Sequence, residues 1–190
     1  AYDVKLPREL VLIGKQFLFL GLLMSILGGL MALMIRWQLA WPETQVPGTR
    51  WIPEPSMTDG YMNPAFYNAL FTMHATIMIF FVVMPIMVGT FGNFLIPLMI
   101  GAGDMAFPKL NMLSFWVGAV SGVIMLASFF VPGGPAAGGW TGYATLSART
   151  QFTGVEWGQH LWIIALLVNG ISSLMGAINY ITTIVNMRAP

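Results

Sequence analysis

The chain has 190 residues, of which 57% are hydrophobic and only 8% are charged, whereas a soluble domain has about 25% charged residues. So few charges cannot cover a globular surface, and the composition therefore predicts a membrane protein. The net charge of +1 argues against nucleic acid as a partner. The absence of cysteine excludes disulfides, thiolate metal sites and a cysteine nucleophile.

The first span is predicted over residues 12–39, since about 20 apolar residues cross the hydrocarbon core. Gly21, Ser25 and Gly29 repeat at four-residue intervals on one of its faces. Small residues let another helix or a flat ligand approach closely, and packing between helices is the simpler interpretation. Arg36 closes the helix, where its side chain can reach the interface, and we expect an anchor there. A polar, Pro-rich extramembrane loop follows.

The second span is predicted over residues 64–100, with kinks at Pro85 and Pro97. His74 lies ten residues into this helix, about 15 Å along its axis. The side chains one turn before and after it are apolar, so no neighbour on its own helix can pair with it. An ionisable residue within a membrane span is a functional candidate. The pattern alone leaves two alternatives open, a heme or metal ligand and a hydrogen-bonded packing residue.

Two further spans are predicted over residues 108–131 and 157–186, and a loop rich in Gly and Pro separates them. The chain is therefore expected to form a single all-α transmembrane domain of four helices. Basic residues favour an orientation with both termini inside, because most of them then lie on the inner side. These inner residues are Lys5, Arg8, Lys15, Lys109 and Arg188.

A carboxylate, three amides and two hydroxyls are predicted near the inner side. They are Asp104 in the turn between the second and third spans, Asn93, Asn111 and Asn179, and then Ser114 and Ser173. Helical rise puts the amides about 10 Å above the inner interface. A water-filled proton inlet needs such groups, with the carboxylate as proton collector and the amides as water ligands. The alternative is that the asparagines hold helices together at about 0.6 kcal/mol each, and the spacing alone favours it.

Four stretches of the chain resemble the N-terminal third of subunit I of the heme-copper terminal oxidases, the family of the cytochrome c oxidases. They are MHATIMIFF, MPIMVGTFGNFLIPLMIGAGDMAFPKLNMLSFW, GGWTGY and SSLMGAINYITTIVNMRAP. The resemblance implies a twelve-helix bundle, of which this chain would supply four helices, and a subunit that continues past Pro190. It implies a proton-pumping enzyme that reduces oxygen to water with electrons from cytochrome c, active only as the complete subunit and complex.

The resemblance also implies roles for individual residues. His74 matches an axial ligand of the low-spin heme iron, Arg36 a contact to the heme periphery, and Trp140 a residue near the propionates. Asp104 matches the entrance of the D proton pathway. The residues that match its asparagine constriction and the polar groups beyond it are Asn93, Asn111, Asn179, Ser114 and Ser173. The catalytic residues of the oxygen site are expected outside this portion.

The implied cofactors are a low-spin heme of type A, and a high-spin heme and copper held by the rest of subunit I. The implied partners are that remainder, a copper-bearing subunit II, a subunit III, a cytochrome c-type donor and membrane lipid. A quinol donor is disfavoured, because positions that carry polar residues in similar quinol oxidases are apolar here: Leu27, Met31, Phe66 and Ala69. An energy-coupling membrane is expected, and the unusual loops favour a bacterial plasma membrane over the mitochondrial inner membrane.

Two other classes of function are weighed against this one. A stand-alone four-helix b-type cytochrome could hold one heme between His74 and His160, the only other histidine. However, His160 begins the fourth span at its outer end, whereas His74 is about 15 Å down the second, and ligands of one iron must meet at one depth. A purely structural membrane subunit explains the hydrophobicity, but it explains neither His74 nor the arrangement around Asp104.

Overall fold

The computed structural model describes residues 5–52 and 56–189. Four helical segments of these described residues are long and apolar enough to cross a membrane. We call them the first to fourth spans, and they comprise Arg8–Ala40, Pro64–Ile100, Pro108–Phe130 and Trp157–Asn186. The predicted all-α membrane fold is confirmed. The first span begins four residues before its predicted start, and the other boundaries agree to within one residue.

The second span changes its helical type along its length. Its segments are an α-helix α2 (Pro64–Ile77), π-helical stretches at Met78–Val83 and Pro85–Gly92, and an α-helix α3 (Asn93–Ile100). Pro64 opens α2, where a missing N–H group has no cost. Pro85 lacks a donor and its ring crowds the preceding turn, which accounts for irregular backbone at this predicted kink. Pro97, the other predicted kink, lies inside α3.

The other spans are regular over most of their length. The first is one α-helix, α1 (Arg8–Ala40). The third is α4 (Pro108–Ala127), which ends in a 3₁₀ turn over Ser128–Phe130. Two short helices follow, α5 (Ala144–Ser147) and α6 (Thr150–Thr153), and the fourth span is α7 (Trp157–Asn186).

A small antiparallel hairpin precedes the second span. Strands β1 (Met57–Thr58) and β2 (Tyr61–Met62) pair with Met57 opposite Met62. The two residues between the strands are Asp59 and Gly60, with φ of 50° and 86°. Two residues in this conformation form the tight turn that matches the twist of a two-stranded hairpin, and Asp-Gly is a preferred pair for it.

Packing divides the described chain into two compact units, and each takes residues from all four spans. The first unit comprises the chain up to residue 24, residues 79–123 and residues from 164 onward. Its apolar core contains Leu10, Met105 and Tyr180, and a second cluster of Ile13, Phe17 and Phe115. The second unit comprises residues 25–78 and 124–163. Its fully buried side chains include Met57, Met73, Ile77 and Met125.

Three glycines of the first span approach side chains of the second span closely. An added Cβ atom would lie 2.6 Å from Phe94 at Gly14, 2.5 Å from Ile86 at Gly21 and 2.5 Å from Met78 at Gly28. Their interval is seven residues, almost two full helical turns, which keeps them on one face. The predicted close approach is confirmed at Gly21. Gly29 has no described atom within 4 Å of such a Cβ, so contact with another helix of the described chain does not explain it.

Candidate functional site

His74 lies in α2, within the second unit, and is partly buried. Its Nδ1 atom is 2.9 Å from the carbonyl oxygen of Gly28 on the first span. A carbonyl oxygen can only accept, so Nδ1 carries the hydrogen, and the lone pair of a neutral imidazole is then at Nε2. The short distance depends on glycine, because a Cβ at Gly28 would meet Met78. The imidazole is therefore held with its Nε2 lone pair available to a metal ion.

Trp140 belongs to a four-residue turn over residues 139–142, which we call the tryptophan turn. The Gly142 N–H closes it by donating to the Gly139 carbonyl at 3.1 Å. The Gly139 N–H donates to Thr72 Oγ1 at 3.0 Å, and Thr72 precedes His74 by two residues. This hydrogen bond joins the turn that carries Trp140 to the helix segment that carries His74.

Arg36 and His160 are both exposed residues of the second unit. Arg36 lies four residues before the end of the first span. His160 packs edge-on against Trp157, with the ring centroids 6.0 Å apart. The second unit thus contains all three predicted heme contacts, and His160 has a ring neighbour of its own.

Two of the three predicted inlet asparagines pair directly. Asn111 Nδ2 donates to Asn93 Oδ1 at 2.6 Å, and Asn93 Nδ2 donates to the Gly89 carbonyl. Asn93 and Asn111 are 0% and 1% exposed. Because a buried amide without partners costs about 1–3 kcal/mol, this pair fastens the second span to the third within the first unit.

Asn179 has a different partner from the one that a ring of asparagines would give it. Its Oδ1 atom accepts a 2.8 Å hydrogen bond from the Phe107 N–H. Its Nδ2 is buried and meets no partner among the described residues. An N–H group can only donate, so Oδ1 must face Phe107 and the orientation of the amide is fixed. Asn93 and Asn111 therefore form a pair and Asn179 is separate from it, so the three asparagines do not form the predicted polar ring.

Asp104 lies in the turn that links the second and third spans, and it is partly buried. Its Oδ1 accepts a 2.7 Å hydrogen bond from the N–H of Met105. The next N–H along the chain, that of Ala106, donates to Thr183 Oγ1 at 2.9 Å. Together with the Phe107 bond to Asn179, this fastens the turn of Asp104 to the fourth span.

The predicted serines lie at a cavity in the first unit. Ser114 Oγ donates to the Asn111 carbonyl at 2.7 Å. The cavity has a volume of about 290 Å³, and the polar residues of its mostly apolar lining are Asn111, Ser114, Asn169, Ser172, Ser173 and Tyr180. A water molecule occupies about 30 Å³ in the liquid, so several could enter. Every residue of its described wall is uncharged.

Asn169 is a polar residue of this cavity that sequence reasoning missed. Its Nδ2 is 3.4 Å from the Phe80 carbonyl. The signal was present, because Asn169, Ser172 and Ser173 follow the i, i+3, i+4 spacing of one helical face. Ser172 on the same face donates to the Ser114 carbonyl at 2.6 Å, which ties the fourth span to the third beside the cavity.

Known proteins resemble this chain along almost its whole length. The family described as Cytochrome C and Quinol oxidase polypeptide I matches residues 12–190. Cytochrome c oxidase subunit 1 of Thermostichus vulcanus is 42% identical over 178 residues, which cover 94% of this chain and 28% of that protein. The Synechocystis subunit 1 is 42% identical over 93% of this chain, and the Corynebacterium efficiens subunit 1 is 41% identical over 94%.

The chain spans about 28% of the length of each of these relatives. The match confirms the resemblance that the sequence motifs carry, from the His74 helix to the end of the fourth span. Helices that could cross a membrane, in the number and order predicted, agree with it. This chain belongs to the cytochrome c and quinol oxidase polypeptide I family.

Proposed function

We propose that this chain is part of the catalytic subunit of a proton-pumping terminal oxidase that reduces oxygen to water with electrons from a cytochrome c-type donor. The activity is proposed for the complete subunit in its complex and not for these 190 residues alone. Family membership supports the oxidase class. The observation that carries this chain's share is the orientation of His74, whose Nδ1 is bound and whose Nε2 lone pair is left for a ligand.

In this proposal, Nε2 of His74 would hold the iron of a low-spin heme, and the residues present fit that role. A neutral imidazole whose Nδ1–H donates to a backbone carbonyl has a fixed ring orientation and a more basic Nε2. A low-spin heme, when bound, takes up and passes on single electrons. Arg36 and Trp140 would contact its periphery, and we propose a heme of type A.

We further propose that Asp104 begins a proton inlet. Its carboxylate takes up a proton from water at the inner side. Asn93, Asn111 and Asn179 then orient water molecules. Hydroxyls continue the path at the cavity, where the proposed groups are Ser114 and Ser173. The polar side chains of the cavity are uncharged, which supports this role, because they can bind water without holding the proton beside a fixed charge.

The remaining assignments concern the rest of the enzyme. We propose that other parts of subunit I hold a high-spin heme and copper, and that a copper-bearing subunit II and a subunit III complete the complex in a bacterial plasma membrane. The family description includes quinol as well as cytochrome c oxidases. The apolar side chains at Leu27, Met31, Phe66 and Ala69 support a cytochrome c-type donor, because they offer a quinol no hydrogen bond.

The first test is a reduced-minus-oxidised optical spectrum of the native complex, recorded with and without carbon monoxide. The expected result is a low-spin heme together with a high-spin heme that binds carbon monoxide. A single low-spin heme would support a small cytochrome instead, and no heme at all would leave a structural subunit. In the same enzyme, His74→Ala is expected to abolish the low-spin signal, and an unchanged spectrum would remove His74 from the site.

A further inference from the structure

The tryptophan turn is contacted at both ends by residues that have no role in the proposed function. At one end, the Gly139 N–H donates to Thr72 Oγ1 at 3.0 Å. At the other end, Gly142 lies against the Trp162 ring, where an added Cβ would be 3.1 Å from Cη2. Gly139 and Gly142 have φ of 83° and 60°, which side chains rarely allow. The turn is therefore closely fitted to the second and fourth spans.

A buried hydrogen-bond network connects Thr72 and Trp162, the two residues that contact the turn. Trp162 Nε1–H donates to Thr76 Oγ1 at 3.0 Å. Thr76 Oγ1 donates to the Thr72 carbonyl at 2.8 Å, and Thr72 Oγ1 donates to the Asn68 carbonyl at 2.8 Å. Each threonine hydroxyl thus uses its one hydrogen within α2 and accepts a hydrogen from outside it. Trp162, Thr72 and Thr76 are 7%, 1% and 0% exposed, so water does not compete for these bonds.

The network holds the same part of α2 that carries His74. Thr72 and Thr76 lie two residues before and two residues after it. Two residues turn an α-helix by about 200°, so both threonines are on the face opposite His74. His74 itself is bound to Gly28 of the first span. This helical turn is therefore fixed on one face through its histidine and on the other through its threonines.

We propose that Thr72, Thr76 and Trp162 are positioning residues, which fix the tryptophan turn against the His74 helix and thereby set the properties of the low-spin heme. The inference rests on the proposed function, because it takes His74 as the iron ligand and Trp140 as a contact at the heme periphery. The three residues act indirectly, because they determine the position of Trp140. Hydrogen bonding and polarity around a heme set its reduction potential, so a displaced turn changes that potential.

The test uses the complete oxidase carrying Thr72→Val, which replaces the hydroxyl by a methyl group of similar size. This change leaves the Gly139 N–H without its acceptor. The expected result is an unchanged low-spin heme content with a shifted midpoint potential and a displaced reduced absorption band. Thr72→Ser restores the hydroxyl and is expected to restore both values. Trp162→Phe keeps a ring against Gly142 and removes the Nε1–H, and a smaller shift in the same direction is expected.

Thr182→Val is the matched control. Thr182 Oγ1 also donates to a carbonyl of its own helix, that of Ile178 at 2.8 Å, but it belongs to the first unit. Its replacement is expected to change neither the potential nor the band. The inference would be overturned if Thr72→Val and Trp162→Phe had the same midpoint potential and the same reduced absorption band as Thr182→Val.

Two further outcomes are decisive. If Thr72→Val does not assemble, the other two variants decide. A shifted midpoint potential in Trp162→Phe with an unshifted one in Thr72→Ser supports the inference, and any other combination overturns it. Absence of a low-spin heme from the unmodified enzyme would refute the proposed function itself, and that result is visible before any variant is made.

Discussion

The contact between Gly28 and His74 makes a sharp prediction about heme chemistry. In Gly28→Ala, the new methyl group would lie 2.5 Å from Met78 Sδ and 3.0 Å from its Cγ, so the first span and Met78 must move apart. The Gly28 carbonyl would move with its helix and lengthen its 2.9 Å bond to His74 Nδ1. A weaker bond leaves Nε2 less basic, which favours the reduced iron. The midpoint potential of the low-spin heme is therefore expected to rise.

The size of the effect follows from two contributions. Overpacking costs about 1–3 kcal/mol, with the lower end expected here because the Met78 side chain is flexible, and alanine in a helix recovers about 0.5–1 kcal/mol. The net loss of stability should thus be about 1 kcal/mol or less. A hydrogen bond is worth about 1 kcal/mol. If this bond stabilises only the oxidised heme, its complete loss would raise a one-electron potential by up to about 40 mV.

The assay is a spectroelectrochemical titration of the complete enzyme, with two other glycines as controls. Gly21→Ala meets Ile86 at the same 2.5 Å, and its stiff β-branched neighbour makes the overpacking cost at least as large. Gly29→Ala has no described atom within 4 Å and should leave the hydrogen bond between Gly28 and His74 unchanged. Only Gly28→Ala is expected to raise the potential. A fall, no change, or an equal rise in Gly21→Ala would refute the reasoning.

Three predictions concern the proton inlet. Asp104→Asn should slow turnover by about tenfold or more, which corresponds to at least about 1.4 kcal/mol in the barrier, and it should impair pumping. Asp104→Glu is the control, because it keeps a carboxylate that can take up protons. Near-normal turnover with full pumping in the asparagine variant would exclude Asp104 as the entrance. Asn111→Leu leaves Asn93 Oδ1 without its donor, at a cost of about 1–3 kcal/mol, and proton uptake should slow with no change in the heme spectrum. Ser173→Leu places a larger apolar side chain at the cavity, so it should slow proton uptake more than Ser173→Ala does. Stopped flow with a pH indicator measures the rate of uptake, and equal rates in the two variants would argue against water in that cavity.

Hydropathy was enough to predict the spans, because a segment that crosses lipid must be apolar over a fixed length. The start of the first span was the largest error, since Arg8 and Glu9 extend α1 beyond the apolar run. The π-helical backbone around Pro85 was not predicted. A proline signals that the α-helix is disturbed there, but the choice among a kink, a bulge and a longer π-helical stretch depends on neighbouring helices.

Partners of polar side chains were harder to predict than their positions. Spacing put Asn93, Asn111 and Asn179 at similar heights, and the structure pairs the first two. Asn179 bonds to the Phe107 N–H instead, which depends on how a turn folds back and not on helical rise. Thr72 escaped notice for a similar reason, since threonine in an apolar helix usually satisfies its own hydroxyl by a bond to the preceding turn. Its second role requires a loop residue 67 positions away.

Asn179 carries a consequence for how the two sides of its amide work together. Oδ1 accepts a hydrogen bond from the Phe107 N–H, which lies in the same turn as Asp104. The buried Nδ2 has no acceptor in the described chain. Both atoms belong to one rigid plane, so any tilt of the turn rotates the direction in which Nδ2 points. A movement of the turn that follows a change of charge at Asp104 would therefore also rotate the unpaired Nδ2 of Asn179.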